Sequence, residues 1–220
     1  WAKKRALETP LMNRFENNNT NTNSKDSISK IEMNLNGHTS HLTVVDKNGM
    51  IVSLTHTIGP TMGSKVATPG LGFLYAQTMG GYLGKVEPNL RVPSHISPII
   101  VFKNDKPFLA LGAAGGSRIP SSIVNVISNV IDKKMSLDDA LYAPRVHPLE
   151  QGINLEFVDG IRWNKNDSTY FSQLGYAVEM KRLPGKFGRI HAVILDTLTG
   201  EWIGCADPDW EGTAAFPILK

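Results

Sequence analysis

The chain has 220 residues, 41% hydrophobic and 20% charged, a composition that excludes a disordered or fibrous protein and a length that can bury a core. Its formal charge is +3, but residues 1–38 carry six Lys/Arg and four Asp/Glu, which leaves 17 against 16 for residues 39–220 and no broad electrostatic footprint for nucleic acid. No apolar run approaches a bilayer span, and Cys205 as the sole cysteine excludes an intrachain disulfide and a multi-cysteine metal site.

Beginning at Trp1 rather than Met, the chain is expected to be a fragment or a processed product. Trp1 to Phe15 has the pattern of a short amphipathic helix interrupted near Pro10, and the polar tract Asn17 to Ser24 reads as a linker with nothing to bury. From His41 the texture becomes strand. Residues 41–46 and 50–57 flank Lys47-Asn48-Gly49, a hairpin signal because Asn and Gly both tolerate positive φ. A second hairpin is predicted from Pro98–Phe102 and Pro107–Leu111 around Asn104-Asp105. Ile123, Val126, Ile127, Val130 and Ile131 fall at helical spacing within residues 119–135. Ser136 reads as the N-cap of a further helix that ends at Pro144. A strand near Ile153–Phe157, a helix near Ser168–Leu174 and a last hairpin, Ile190–Leu195 with Glu201–Cys205, complete the pattern. Mixed hairpins and helices without a repeat imply sheets covered by helices.

Two segments carry chemistry. The first is Gly37-His38-Thr39-Ser40-His41. A Thr hydroxyl needs an adjacent base, and a cut before Thr39 would supply one in the new α-amine, whose pKa lies near neutrality. Read alone, the segment favours the simpler assignment of Thr39 as the start of an edge strand. The second is Gly115-Gly116 between a strand and a helix, where glycine lets backbone N–H groups turn into a cavity beside the positive end of a helix dipole. Such donors can hold an oxyanion; a tight strand-to-helix turn needs the same residues. His41, His56 and His191 lie on strand patterns as packing or surface residues, without zinc-motif spacing. His147 either lines the site or is structural. Arg145 is expected to anchor a loop through carbonyls or a carboxylate, and Arg118 to orient the turn or to be buried with an acid. Cys205, Trp163, Trp202 and Trp210 read as packing.

Taken in order, these segments resemble the small subunit of γ-glutamyltranspeptidases. Thr39-Ser40-His41-Leu42-Thr43-Val44-Val45-Asp46 is similar to the family's T-T-H-x-S-V-V-D, and Gly112 to Ile119 to its G-S-P-G-G-S-R-I. Pro93 to Pro98 resembles L-S-S-M-S-P, Ala143 to His147 resembles A-P-R-x-H, and Ala206-Asp207-Pro208 stands where the family has A-S-D-P.

The resemblance implies an α/β (α+β) fold, a four-layer αββα sandwich of the N-terminal-nucleophile hydrolase type of which only the C-terminal part is present. Residues 1–38 would be the tail of the large-subunit region with its linker, and residues 39–220 the small-subunit catalytic domain. It also implies autoprocessing at His38–Thr39, with Thr39 as nucleophile, Thr57 hydrogen-bonded to it, and Gly115 and Gly116 as the oxyanion donors. Ser94 would help hold a γ-glutamyl group, with His95 and Thr78 as further substrate contacts. No metal or organic cofactor is implied. The partners would be a small γ-glutamyl peptide or amide and the large subunit of the same precursor, in a periplasmic or extracellular setting. Three departures bear on specificity: Gly59 replaces a family Asn, Gly81 replaces the Asp that pairs with the substrate ammonium, and His95 replaces the second Ser. The short connection from Tyr82 to Pro93 implies that a longer lid is lacking. A related acylase with a changed acyl pocket, or an uncleaved non-catalytic homologue acting as a binding module, remain the alternatives.

Overall fold

Two turns of different chemistry set the frame of the computed structural model, which describes residues 37–78, 87–89, 91, 94–158, 161–181 and 187–217. The expected N-terminal helix, the polar tract, Met79 to Tyr82 and most of the Tyr82–Pro93 connection lie outside the described residues. Strands β1 (Gly37–Val45) and β2 (Ile51–Pro60) pair antiparallel around residues 46–50. Only Gly49 of the Asn-Gly pair takes a positive φ, +83°. The turn is closed instead by the Asp46 carboxylate, which accepts the N–H groups of Asn48 and Met50, each at 2.8 Å. Strands β3 (Ile99–Lys103) and β4 (Lys106–Ala114) follow the expected two-residue scheme: Asn104 and Asp105 both have positive φ.

After β4 the chain makes a 3₁₀ turn (Gly116–Arg118) and enters α1 (Ile119–Ile131), with Pro120 in its first turn, where a missing N–H costs nothing. The helix stops short of the expected Met135, because the chain turns at Lys134 with φ +60° and Met135 N–H donates to Asn129 O. Helix α2 (Leu137–Tyr142) is capped by the Ser136 hydroxyl as its sequence predicts. Strands β5 (Val146–Leu149), β6 (Gly152–Val158) and β7 (Ile161–Arg162) form an antiparallel sheet. Helix α3 (Lys165–Gln173) then leads to β8 (Val178–Lys181), which lies parallel to β6. Helix α3 starts earlier than expected, fixed by the reciprocal capping box of Asn164 and Asp167. Strands β9 (Arg189–Leu195) and β10 (Trp202–Ala206) complete a four-stranded sheet of order β10-β9-β4-β3.

The central strands of that sheet, β4 and β9, are covered on both faces, and strand alternation assigns each face its neighbour. Leu109, Leu111 and Ala113 of β4, with Ile190 and Ala192 of β9, pack against Ile119, Ile123, Val126 and Val130 of α1 and Leu137, Ala140 and Leu141 of α2. The opposite face meets the β1–β2 hairpin. Ser53 Oγ donates to Leu111 O at 3.2 Å, and Thr43 Oγ1 donates to His191 O at 3.4 Å. His41 is buried between them, its Nδ1 2.7 Å from Thr55 Oγ1 and its Nε2 2.9 Å from Thr43 Oγ1. The imidazole packs so closely on β4 that a Cβ at Gly112 would clash with its Cε1, Nδ1 and Nε2 atoms. Two stacked sheets and a helical layer on one of them are thus present, as the sandwich architecture requires.

A methyl group at Gly112 is therefore expected to be costly. Gly112→Ala should lower stability by about 1–3 kcal/mol, the usual range for overpacking. In the His41→Ala background, where the ring is gone, it should cost clearly less. Urea unfolding of the two single variants and the double variant checks this, and strict additivity would contradict the packing described.

Candidate active site

The hairpin's alternation puts Thr39, His41 and Thr43 on one face of β1 and Ser53, Thr55 and Thr57 on the matching face of β2, all at least half-buried, while Ser40, Leu42 and Val44 are exposed. Thr39 stands opposite Thr57 in the register. Beyond that pair the ladder slips. Gly37 pairs with Pro60, so Ile58 and Gly59 bulge opposite His38. The candidate scissile bond, His38–Thr39, lies at this irregularity. Thr57 Oγ1 accepts the N–H of Gly59 at 3.0 Å, which orients the hydroxyl at the bulge. On the facing sheet, Thr43 and Ser53 meet Leu111 and His191 while His41 meets Gly112.

Gly115 has φ +149° and Gly116 φ +60°, both conformations that favour glycine. Their reasons differ. A Cβ on Gly116 would meet open space, so only backbone geometry is at stake there. A Cβ on Gly115 would lie 2.9 Å from Gly188 Cα, because the β4–β9 ladder ends at Ala114–Arg189 and the two glycines meet just beyond it. The turn leads directly into α1, whose first N–H groups and dipole favour negative charge at this point.

The other expected contact residues lie on separate loops. Gln77 N–H donates to Ile58 O at 2.8 Å, which lays the Gln77-Thr78 backbone along the bulge next to Thr57. Gly59, at φ +85°, has no room for a side chain: its Cβ would lie 2.8 Å from Gln77 O. Ser94 and His95 are exposed. Ser94 Oγ accepts the N–H of Ile96 at 3.2 Å, and His95 O accepts the Ser97 hydroxyl at 3.1 Å. His147, 8% exposed, has its Nδ1 2.8 Å from Ser121 Oγ in the first turn of α1. Burial lowers its pKa to about 4, and the positive charges of Arg118 and His95 add to the shift. His41 is lowered to about 4 by burial and by His191. His147 thus joins β5 to the start of α1 as a neutral imidazole. Of the other histidines, His56 is exposed and His191 half-buried. Among the described residues no three His, Cys, Asp or Glu side chains form a metal-binding group.

Arg145, expected as a loop anchor, is the hub behind the turn. It is 1% exposed, its Nη2 2.7 Å from Asp207 Oδ2 and 2.9 Å from Leu141 O, and its Nη1 2.6 Å from Gly188 O. Its backbone N–H donates to Glu156 Oε2 at 2.8 Å. Burial raises the Glu156 pKa to about 7, against the lowering effect of Arg145. Arg118 lies over the Phe187 ring, 5.6 Å from its centroid. Trp163 donates from Nε1 to Arg145 O, and Trp210 stacks on Arg189 at 3.5 Å while staying part-exposed. Sequence reasoning passed over Glu156 and Gly188. A lone acid within the apolar run Ile153–Phe157 was the available signal for the first, and the glycine next to Arg189 offered none for the second.

Comparison with known proteins identifies the family. The sequence profile of the gamma-glutamyltranspeptidase family matches residues 3–216. The chain is 30% identical over 190 residues to the glutathione hydrolase proenzyme of Bacillus subtilis (strain 168), covering 84% of this chain and 32% of that protein. It is 33% identical over 171 residues to the Acylase ACY 1 proenzyme of Pseudomonas sp. (strain V22), covering 74% of this chain and 30% of the relative. It therefore spans about a third of the length of these relatives. A crystal structure of gamma-glutamyltranspeptidase from Helicobacter pylori superposes with a TM-score of 0.67 at 32% identity, over 78% of this chain and 100% of the matched chain. Among the described residues no helix is long and apolar enough to cross a membrane.

The buried titratable groups set opposing pH dependences. His41 and His147 sit near 4, below the ordinary 6.5, so the stability they contribute is present above 6.5 and lost as pH falls through about 4. Glu156 sits near 7, above its ordinary 4.5, so its contribution is present below 4.5 and lost as pH rises through about 7. Between pH 5 and 7 the carboxyl partly cancels the histidines. Glu156→Gln removes that cancellation, and urea unfolding should show a larger stability difference between pH 7 and pH 5 in the variant than in the parent. Equal differences would contradict the assignment.

Proposed function

The chain belongs to the gamma-glutamyltranspeptidase family, and on that premise we propose that it forms the nucleophile-bearing part of a γ-glutamyl amide hydrolase or transferase acting on glutathione-type substrates. Residues 1–38 are read as the tail of the large-subunit region and residues 39–220 as the small-subunit domain. Cleavage of His38–Thr39 frees the Thr39 α-amine. That amine takes the proton of the Thr39 hydroxyl as Oγ1 attacks the γ-glutamyl carbonyl. The Gly115 and Gly116 N–H groups hold the tetrahedral oxyanion, an interaction whose loss typically costs about 10²–10³ in rate. The intermediate collapses, the leaving amine receives the proton from the Thr39 ammonium, and an ester to Thr39 remains. Water, or an acceptor amine, attacks that ester and regenerates the hydroxyl. Thr57 orients the nucleophile, and Ser94, His95 and Thr78 are read as substrate contacts.

The observation that carries this reading is the pairing of Thr39 with Thr57 on the inward face of β1–β2, beside the bulge that holds the His38–Thr39 bond. The large subunit of the same precursor is the proposed partner chain, in keeping with relatives named as proenzymes. A periplasmic or extracellular location is inferred from the resemblance to exported members of the family.

Gly59 favours a second reading, a related acylase with altered acyl specificity. The backbone there leaves no room for the Asn that the family carries, and the sequence at Gly81 lacks the carboxylate that pairs with the substrate ammonium. A panel of γ-glutamyl, aliphatic acyl and aromatic acyl anilides separates the two.

Full-length precursor should yield a chain beginning at Thr39, detected by mass spectrometry, and the processed protein should hydrolyse γ-glutamyl p-nitroanilide. Thr39→Ala should abolish both, with a rate loss of about 10³-fold or more. An intact precursor that still turned over the anilide would refute Thr39 as the nucleophile.

A further inference from the structure

We propose that the buried Arg145–Asp207 ion pair is the positioning element of the Gly115–Gly116 turn, acting on it through the backbone of Phe187 and Gly188. The inference rests on the reading of that turn as the oxyanion site and adds residues that touch neither substrate nor nucleophile. The β4–β9 ladder ends at Ala114–Arg189, so no strand hydrogen bond fixes the chain beyond it. What stands against Gly115 there is Gly188, with no side chain on either residue to set their spacing. The turn's own hydrogen bonds, Arg118 N–H to Gly115 O at 3.2 Å and Ile119 N–H to Gly116 O, tie it to α1, and on the β9 side the position of Gly115 is set by that of Gly188.

Gly188 is fixed from behind. Its carbonyl accepts Arg145 Nη1 at 2.6 Å, and the Phe187 carbonyl accepts the same nitrogen at 3.4 Å. The guanidinium is itself immobilised. Nη2 bridges Asp207 Oδ2 and Leu141 O, and Asp207 is tied to β9 through Ile190 N–H and to the following turn through Asp209 N–H. A charged hydrogen bond to a carbonyl in a dry site is both strong and directional. From the other side, the Ser122 hydroxyl shares its single proton between the Phe187 carbonyl and Arg118 O, the latter at 2.8 Å, joining the same segment to the end of the 3₁₀ turn. A Cβ at Gly188 would strike that hydroxyl. The turn is thus held between two clamps, Arg145 and Ser122, which converge on Phe187-Gly188. A donor displaced by a fraction of an ångström loses transition-state stabilisation while leaving ground-state binding nearly intact.

The test uses processed full-length enzyme and stopped-flow acylation by γ-glutamyl p-nitroanilide, with burst amplitude counting competent sites. Arg145→Lys and Asp207→Asn should each lower the acylation rate per titrated site by about tenfold or more, with KM within twofold. A purely structural role would lower burst amplitude and leave the rate per site unchanged. Trp163→Phe, which removes a hydrogen bond to the Arg145 carbonyl without touching the guanidinium, should keep the rate within twofold. Per-site rates within twofold of the parent in both ion-pair variants would overturn the proposal. Should neither variant fold, Ser122→Ala decides: a per-site loss of about threefold or more upholds it, and an unchanged rate overturns it. Failure of the underlying reading is distinct, since Thr39→Ala would then retain turnover.

Discussion

Everything at the candidate site depends on one packing contact, the seating of the β1–β2 hairpin on the face of β4 and β9 through the His41 ring. Gly112 provides the bare backbone on which the imidazole rests, and the hydroxyls of Thr43 and Thr55 hold both ring nitrogens. Buried imidazole without such partners would be costly, and here both nitrogens are satisfied by residues of the same hairpin. Because β1 has a period of two, fixing His41 also fixes which face and which direction Thr39 takes. A slip by one residue would turn Thr39 to solvent and bring Ser40 inward.

The second half of the site has a different mechanical basis. The Gly115–Gly116 turn lies beyond the β4–β9 ladder, closed toward α1 by its own 3₁₀ hydrogen bonds and packed on the β9 side against the bare backbone of Gly188. The chain answers with a buried cation whose donors are aimed at carbonyls and a single carboxylate. Such an ion pair is weak evidence for stability, since desolvating both charges offsets much of their attraction. Its value lies in geometry. Glu156 is the cost of the arrangement: a second acid near Asp207, so deeply buried that its pKa rises to about 7.

Much of the local structure was legible in the sequence. Asn104-Asp105 specifies its turn, Ser136 caps α2, and the apolar spacing from Ile119 identifies α1. The errors have physical causes. Helix α1 ends at a left-handed Lys134, a conformation its sequence does not signal, and the capping box of α3 was present in Asn164 and Asp167 but lay before the apolar residues used to place the helix. The candidate nucleophile and oxyanion residues were identified through local motifs. The contacts that hold them were not, because they join segments far apart in the chain to backbone carbonyls; Arg145 and Gly188 are 43 positions apart. A carbonyl acceptor leaves no trace in residue identity.

The central claim is that the Thr39 hydroxyl receives the acyl group. The direct measurement is to react the processed enzyme with γ-glutamyl p-nitroanilide, quench in acid during the burst, and map peptides by mass spectrometry. An acyl mass increment on the peptide beginning at Thr39, localised to that residue, is the predicted result. Steady turnover with the increment on Ser40, Ser94 or any other side chain would contradict it.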